Sequence, residues 1–140
     1  MKRIVAVSLV VGLVGMIAAG CATAPKGPTD EELISKRMQE GVAAIKAKDW
    51  KAFDGMVSAS FSSNAVGDKA ALLEYLKNAD SSGFADNIEI DLSGAKTTVT
   101  GDTAMVAPVT ANGGFGSITL DLTGAKEKGV WVITGLEPGY

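Results

Sequence analysis

IEIDLSGAKTTVTGDTAMVAPVTANGGFGSITLDLTGAKEKGVWVITGL, residues 88–136, is the stretch whose reading decides the fold. Ile88, Ile90 and Leu92 alternate with Glu89, Asp91 and Ser93, and Ile118, Leu120 and Leu122 alternate with Ser117, Thr119 and Asp121. Successive side chains of a strand point to opposite faces, so both segments are strands with one apolar and one polar side. Burying these aliphatic side chains contributes roughly 9–18 kcal/mol before conformational entropy is subtracted, too much to leave facing water. Gly101-Asp102, Asn112-Gly113-Gly114 and Lys126-Glu127-Lys128-Gly129 separate strand-like runs and supply the residues that tight hairpins need. The pattern predicts four antiparallel strands in a meander, near 86–100, 103–111, 115–124 and 130–136. Pro108 cannot donate to a ladder and belongs at an edge or a bulge.

The near repeat DLSGAK at 91–96 and DLTGAK at 121–126 follows an aliphatic alternation each time. No repeat period supports a duplicated domain, and the two copies read as one steric problem solved twice. In the last strand Val130, Val132 and Thr134 lie opposite Trp131 and Ile133, so that strand is apolar on both sides. Cover for its outer side is expected, with a second subunit as one source.

Upstream of the sheet the pattern is helical. Thr29-Asp30-Glu31-Glu32 fits a capping box, and Leu33, Ile34, Met38, Val42 and Ile45 recur at helical spacing. Asp49 caps a short helix expected over Trp50–Val57, and Asp68 caps a third over Lys69–Asn78, with residues 58–67 read as loop. Three helices followed by a sheet make an α+β domain, in which the helices form the layer over the apolar face.

The first twenty residues stand apart. Lys2 and Arg3 precede an apolar run from Ile4 to Ala19, which matches a secretory signal segment and is short for a membrane span. Its end, Ala18-Ala19-Gly20-Cys21, resembles the bacterial lipobox, with Ala18 where Leu is commonest. That resemblance implies cleavage before Cys21, lipidation of Cys21, and a Gram-negative-type envelope; Ala22 rather than Asp after the Cys implies the periplasmic face of the outer membrane. An ordinary cut after Ala22-Thr23-Ala24 would place Pro25 past the scissile bond, where the ordinary signal peptidase does not tolerate it. A lone structural Cys is the remaining alternative. The expected organisation is therefore 1–20 signal peptide, 21–28 lipidated Cys and Pro/Gly linker, and 29–140 folded domain.

With 140 residues and 13 basic against 16 acidic side chains, the chain is one domain in length. Loss of residues 1–20 leaves 11 basic groups against 16 acids, a charge of −5 that makes nucleic acid a poor partner. The single Cys, if acylated, leaves no thiol for a disulfide, a metal or a nucleophile.

A long first helix, then KDWKAFDGMVSASF (48–61), GDKAALLEYL (67–76), TGDTAMV (100–106) and GVWVITGLE (129–137), resembles the nuclear-transport-factor-2-like superfamily, which includes ketosteroid isomerases and SnoaL-like polyketide cyclases. The resemblance spans about 29–138. It implies a cystatin-like cone: N-terminal helices packed on a curved antiparallel sheet of about four strands, with a pocket inside.

Chemistry is harder to find. The chain has no His, which excludes the Asp–His pair used by many active members of that superfamily. Asp54, Asp86 and Tyr75 are the candidates for a carboxylate–Tyr arrangement, none of which matches a family position. Asp80, Asp86, Glu89 and Asp91 read as solvated acids rather than a metal site. Gly113-Gly114-Phe115-Gly116-Ser117 lacks the following helix that a phosphate cradle uses. Ser60, Ser62 and Ser63 have no base to activate them. No catalytic residue, metal ligand or cofactor is assigned. The aromatics Trp50, Phe53, Phe61, Tyr75, Phe84 and Trp131 are the candidate pocket-lining residues, with plain core as the alternative. The expected function is a membrane-anchored envelope lipoprotein whose cone binds a small apolar ligand or a partner without chemistry. An isomerase- or cyclase-type enzyme and a structural lipoprotein that dimerises through its outer sheet face are the alternatives.

Overall fold

The structure is a computed structural model that describes residues 27–140. The expected signal segment, Cys21 and most of the linker lie outside those residues.

Helix α1, Asp30–Lys46, begins at the expected capping box: the Glu32 amide donates to Thr29 Oγ1 at 3.2 Å, and the Thr29 amide to Glu32 Oε2 at 2.9 Å. It buries Ile34, Gly41 and Ala44. A Cβ on Gly41 would sit 3.6 Å from the Met56 sulfur, in ordinary van der Waals contact. Helix α2, Trp50–Asp54, is capped by Asp49 and stops three residues earlier than expected. Helix α3, Lys69–Ser81, is capped by Asp68 and runs three residues further. Between them, residues expected as loop hold a two-residue hairpin, β1 (Ser62–Ser63) with β2 (Gly67–Asp68).

The main sheet is β3 (Glu89–Asp91), β4 (Lys96–Thr100), β5 (Thr103–Gly113), β6 (Gly116–Glu127) and β7 (Val130–Pro138), antiparallel throughout. The expected first strand is two strands. Both pair with β5, and the gap between them, residues 92–95, lies opposite the bulge at Ala107-Pro108. Pro108 therefore occupies the bulge position that its missing N–H demands. A second register shift, at Thr123/Gly124 in β6, bends the other side of the sheet. The DLSGAK copy spans the first irregularity and the DLTGAK copy the second, so the repeated hexapeptide marks where the sheet curves. The β6–β7 turn tightens to Lys128-Gly129, with φ of 51° and 77° as a two-residue hairpin requires.

Neither long edge of β7 is left bare. One pairs with β6; along the other, the Ser58 amide donates to the Ile133 carbonyl and the Ile133 amide to the Met56 carbonyl, each at 2.8 Å, and Ser63 Oγ donates to the Leu136 carbonyl.

The apolar face of the sheet turns toward the helices. Ile34 of α1 packs with Ala104, Val106, Val109 and Trp131, and Ile90 and Leu122 close around them. Leu120 lies opposite Val109 in the register, on the same face. A second cluster gathers Ala44, Phe53, Val57, Phe61 and Leu72 against Ile133 and Leu136 at the β7 side.

Candidate functional site

A functional site in a cone lies between the helix and the concave sheet. Ile34 and Met38 from α1 face Val106 and Leu122 there, and Trp131 closes one end. The space they leave is about 30 Å³ with an almost wholly apolar wall. Pockets that hold small organic molecules are roughly 300–1,000 Å³, tenfold larger. The void is of the size of a water or two, without the polar partners a buried water needs.

The polar groups nearest this space tie α1 to the sheet. Arg37 donates from Nε to the Trp131 carbonyl at 3.2 Å, from Nη2 to the Gly55 carbonyl at 3.3 Å, and pairs with Glu40 at 3.2 Å. One guanidinium fork thus joins α1, the residue after α2, and β7. At the start of α1, Asp30 accepts from Lys126 Nζ at 2.6 Å and from the Trp131 indole N–H at 3.2 Å. The Lys126 ammonium also stands 5.4 Å from the centre of the Trp131 ring. The hydrogen bond from Lys126, and after it that from Trp131, holds the Asp30 carboxyl below its ordinary value.

A second knot lies at the other end of α1. Lys48 reaches Asp80 at 2.6 Å and Asp86 at 2.7 Å, and the Trp50 indole N–H donates to Asp80 at 3.2 Å. Lys48 is raised above the ordinary lysine value by its hydrogen bond to Asp80 and then by that to Asp86, and Asp80 is lowered chiefly by Lys48. Asp54 pairs with Lys69 at 3.2 Å, and Lys69 also donates to the Val57 carbonyl at 3.0 Å.

The six candidate aromatics do not meet in one interior. Trp131 alone lines the void. Phe53 and Phe61 belong to the second cluster, Trp50 is half-buried against Asp80, and Tyr75 and Phe84 are 61% and 55% exposed. Asp54, Asp86 and Tyr75 are likewise engaged separately: Asp54 pairs with Lys69, Asp86 pairs with the Lys48 it shares with Asp80, and Tyr75 faces solvent. An open depression of about 360 Å³ between α2 and α3 is lined by Asp54, Ala59, Asp68, Lys69, Ala70 and Leu73. Its acids are already used, Asp54 by Lys69 and Asp68 as the α3 cap. Among the described residues no group of three or more acids, His or Cys is placed to hold a metal ion, and no helix is long and apolar enough to cross a membrane.

Arg37, Lys126 and Asp30 carry the polar framework of the cone; the sequence marked Asp30 as part of a cap and Lys126 as a turn residue, and neither as a tie between elements. Contacts between residues 30 and 126 leave no local signal.

No family model and no curated protein sequence matches this chain. Solved structures do. A protein of unknown function with a cystatin-like fold from Nostoc punctiforme superposes with a TM-score of 0.63 at 14% identity, covering 79% of this chain and 91% of that one. An NTF2-like protein with a cystatin-like fold from Novosphingobium aromaticivorans gives 0.60 at 16% identity, covering 78% and 80%. The domain has the NTF2-like, cystatin-like fold. A de novo designed protein with a curved β-sheet also matches, with a TM-score of 0.57 at 14% identity over 76% of this chain and 99% of the design. The NTF2-like cone here thus follows from a bent one-sided sheet and a covering helix, and identities this low carry the fold without a function.

Proposed function

We propose that this chain is a lipid-anchored envelope protein, acylated at Cys21 and facing the periplasm from the outer membrane, whose NTF2-like domain is non-catalytic and works by binding a partner at its surface. The observation that carries the non-catalytic half is the filled cone: about 30 Å³ between α1 and the sheet, walled by Ile34, Met38, Val106, Leu122 and Trp131. A carboxylate–Tyr enzyme needs Asp54 or Asp86 beside Tyr75 in a shielded cavity, and both carboxylates are paired with lysines while Tyr75 faces solvent. A small apolar ligand inside the cone would have to displace core side chains, at a cost of several kcal/mol. Surface binding is what such a domain has left.

The anchor is supported by the Ala18-Ala19-Gly20-Cys21 motif after an apolar run. More than one acyl chain, at about 0.8 kcal/mol per buried methylene, makes attachment firm. Labelling of growing cells with an alkyne palmitate analogue tests it. The wild-type chain is expected to take up label and fractionate with the outer membrane, and Cys21→Ser to do neither. Label retained by Cys21→Ser overturns the anchor. Native mass spectrometry of the same preparation is expected to give a chain mass without a bound small molecule; a stoichiometric adduct beyond the lipid overturns the filled cone.

A further inference from the structure

The two edges of the main sheet are finished differently. The outer edge of β7 is covered by Met56, Ser58 and Ser63, whereas β3 and β4 pair with β5 on one side and, among the described residues, with no strand on the other. An unpaired edge is a template for further pairing, and proteins blunt such edges with charge, Pro or shortness. β3 is blunted. It is three residues long, and pairing with its own copy about Ile90 would set Glu89 opposite Asp91 twice, carboxylate against carboxylate. β4 is not: Lys96-Thr97-Thr98-Val99-Thr100 is an unbroken run of Thr and Val behind one charge at its first position. The two-residue turn Gly101-Asp102 closes on the Thr100–Thr103 pair. Lys96, Thr98 and Thr100 therefore spend their backbone groups on β5, and Thr97 and Val99 turn theirs outward.

We infer that a second copy of this chain pairs along the outer edge of β4, antiparallel, about a two-fold axis that passes through Thr98 and is normal to the sheet. One self-paired register uses every residue of the strand: Thr98 meets Thr98, Thr97 meets Val99, and Lys96 meets Thr100. The outward groups of Thr97 and Val99 then form a hydrogen-bonded pair on each side of the axis. No like charges are opposed. Lys96 lies diagonally across from Asp102 of the second copy, within reach of a long side chain, and the contact recurs on the other side of the axis. That self-complementary charge favours a second copy over an unrelated extended segment. An axis normal to the sheet also keeps both α1 helices on one face, the face on which Val99 packs with the Ile34 cluster. Both tethers therefore leave toward the same side, as two lipids in one membrane require. Five residues a side is far short of the roughly 20–30 of a stable interface, so the pair forms where tethering concentrates the chain. That last condition rests on the anchor proposed above; the register and the charge pairing do not.

Disulfide cross-linking of the full-length chain in its own membrane tests the register. Thr98 would sit on the axis in a non-bonded pair, where opposite Cα atoms are about 4.5 Å apart and within disulfide range. Thr123, also exposed and on the same face, lies two strands in from the edge. If Cys21 is acylated, an introduced thiol is the only one. Thr98→Cys is expected to give a disulfide-linked homodimer on mild oxidation, and Thr123→Cys none. Linkage of Thr123→Cys, linkage of neither, or linkage of Thr98→Cys to a different protein overturns the inference. In the Thr98→Cys chain, Lys96→Glu is expected to slow linkage about fivefold and added Asp102→Lys to restore it. An unchanged rate, or no recovery, overturns the pairing. A chain that does not fractionate with the membrane reports failure of the anchor instead. The same variants are then read in a Cys21→Ser background at about 1 mM, the concentration a short tether supplies, with the same outcomes for and against.

Discussion

Trp131→Ala removes the side chain on which the cone closes. The ring is 5% exposed, packs with Ile34, Val106 and Val109, donates to Asp30, and lies beneath Lys126. Truncation of a buried Trp to Ala costs about 3–5 kcal/mol, part as lost transfer energy and part as the void left behind. The void adjoins space already present, and the Arg37 fork on the Trp131 carbonyl stays in place, so collapse of the site is limited and the upper half of that range is expected. At about 4 °C per kcal/mol for a domain of this size, the midpoint of thermal unfolding should fall by about 16–20 °C. Circular dichroism melts of the wild type, Trp131→Ala and Trp131→Phe measure it, the last retaining much of the burial while losing the bond to Asp30. Added indole is expected to raise the midpoint of Trp131→Ala and leave the wild type unmoved, because only the variant has a cavity of indole's size; at a hundredfold excess over its dissociation constant the gain is about 2.7 kcal/mol. A loss below about 1 kcal/mol, or an indole effect equal in both proteins, would refute the packing of α1 on the ring.

Other outcomes follow from the same contacts. The Asp30 carboxyl is lowered in the folded state from an ordinary value of 3.8, so it stabilises the fold above that pH and the stability is lost as pH falls through 3.8 toward the folded value. Urea midpoints measured down to strongly acid pH should therefore show a shallower acid limb in Asp30→Asn than in the wild type. Lys48→Met leaves Asp80 and Asp86 without their shared cation, and NMR titration should find the Asp80 carboxyl raised toward the ordinary range. Gly135→Ala would drive a Cβ into Thr123 Oγ1 and is expected to cost about 1–3 kcal/mol, with much of the loss recovered when Thr123→Ala is combined with it. Tyr75→Ser and Phe84→Ser should each change stability by no more than about 0.5 kcal/mol, whereas Phe61→Ala should cost about 3–5 kcal/mol.

The contrast between Phe61 and Tyr75 shows what the sequence conveys about a site of this kind. Alternation at 88–92 and 118–122 identifies the inner face of the sheet, because strand geometry ties each residue's side to its neighbour's. It places Ile90 and Leu120 on the apolar side of their strands before any contact is known. The capping residues Thr29, Asp49 and Asp68 locate three helix starts, since the hydrogen bonds they make are local. Pro108 was legible as an edge or a bulge residue, but its effect on the neighbouring strand was not: the break at 92–95 lies in a different segment and follows from pairing with β5. The β1–β2 hairpin escaped because strands of two residues carry no period. The aromatics were left between core and pocket for a related reason. A ring's hydrophobicity says that burial is favourable, not which of two clusters receives it, and Phe84 follows a helix end where the chain turns outward. The ties that close the cone, Asp30 to Lys126 and Arg37 to Trp131, join residues 96 and 94 positions apart, beyond any local pattern.

The central claim is that α1 lies on the apolar face of the sheet and fills the space a ligand would need. Nuclear Overhauser contacts between the indole protons of Trp131 and the methyl groups of Ile34 and Val106, recorded on protein purified without ligand, test it most directly. Strong cross-peaks to both residues are expected. Their absence, together with indole signals that shift on contact with a soluble paramagnetic probe, would contradict it.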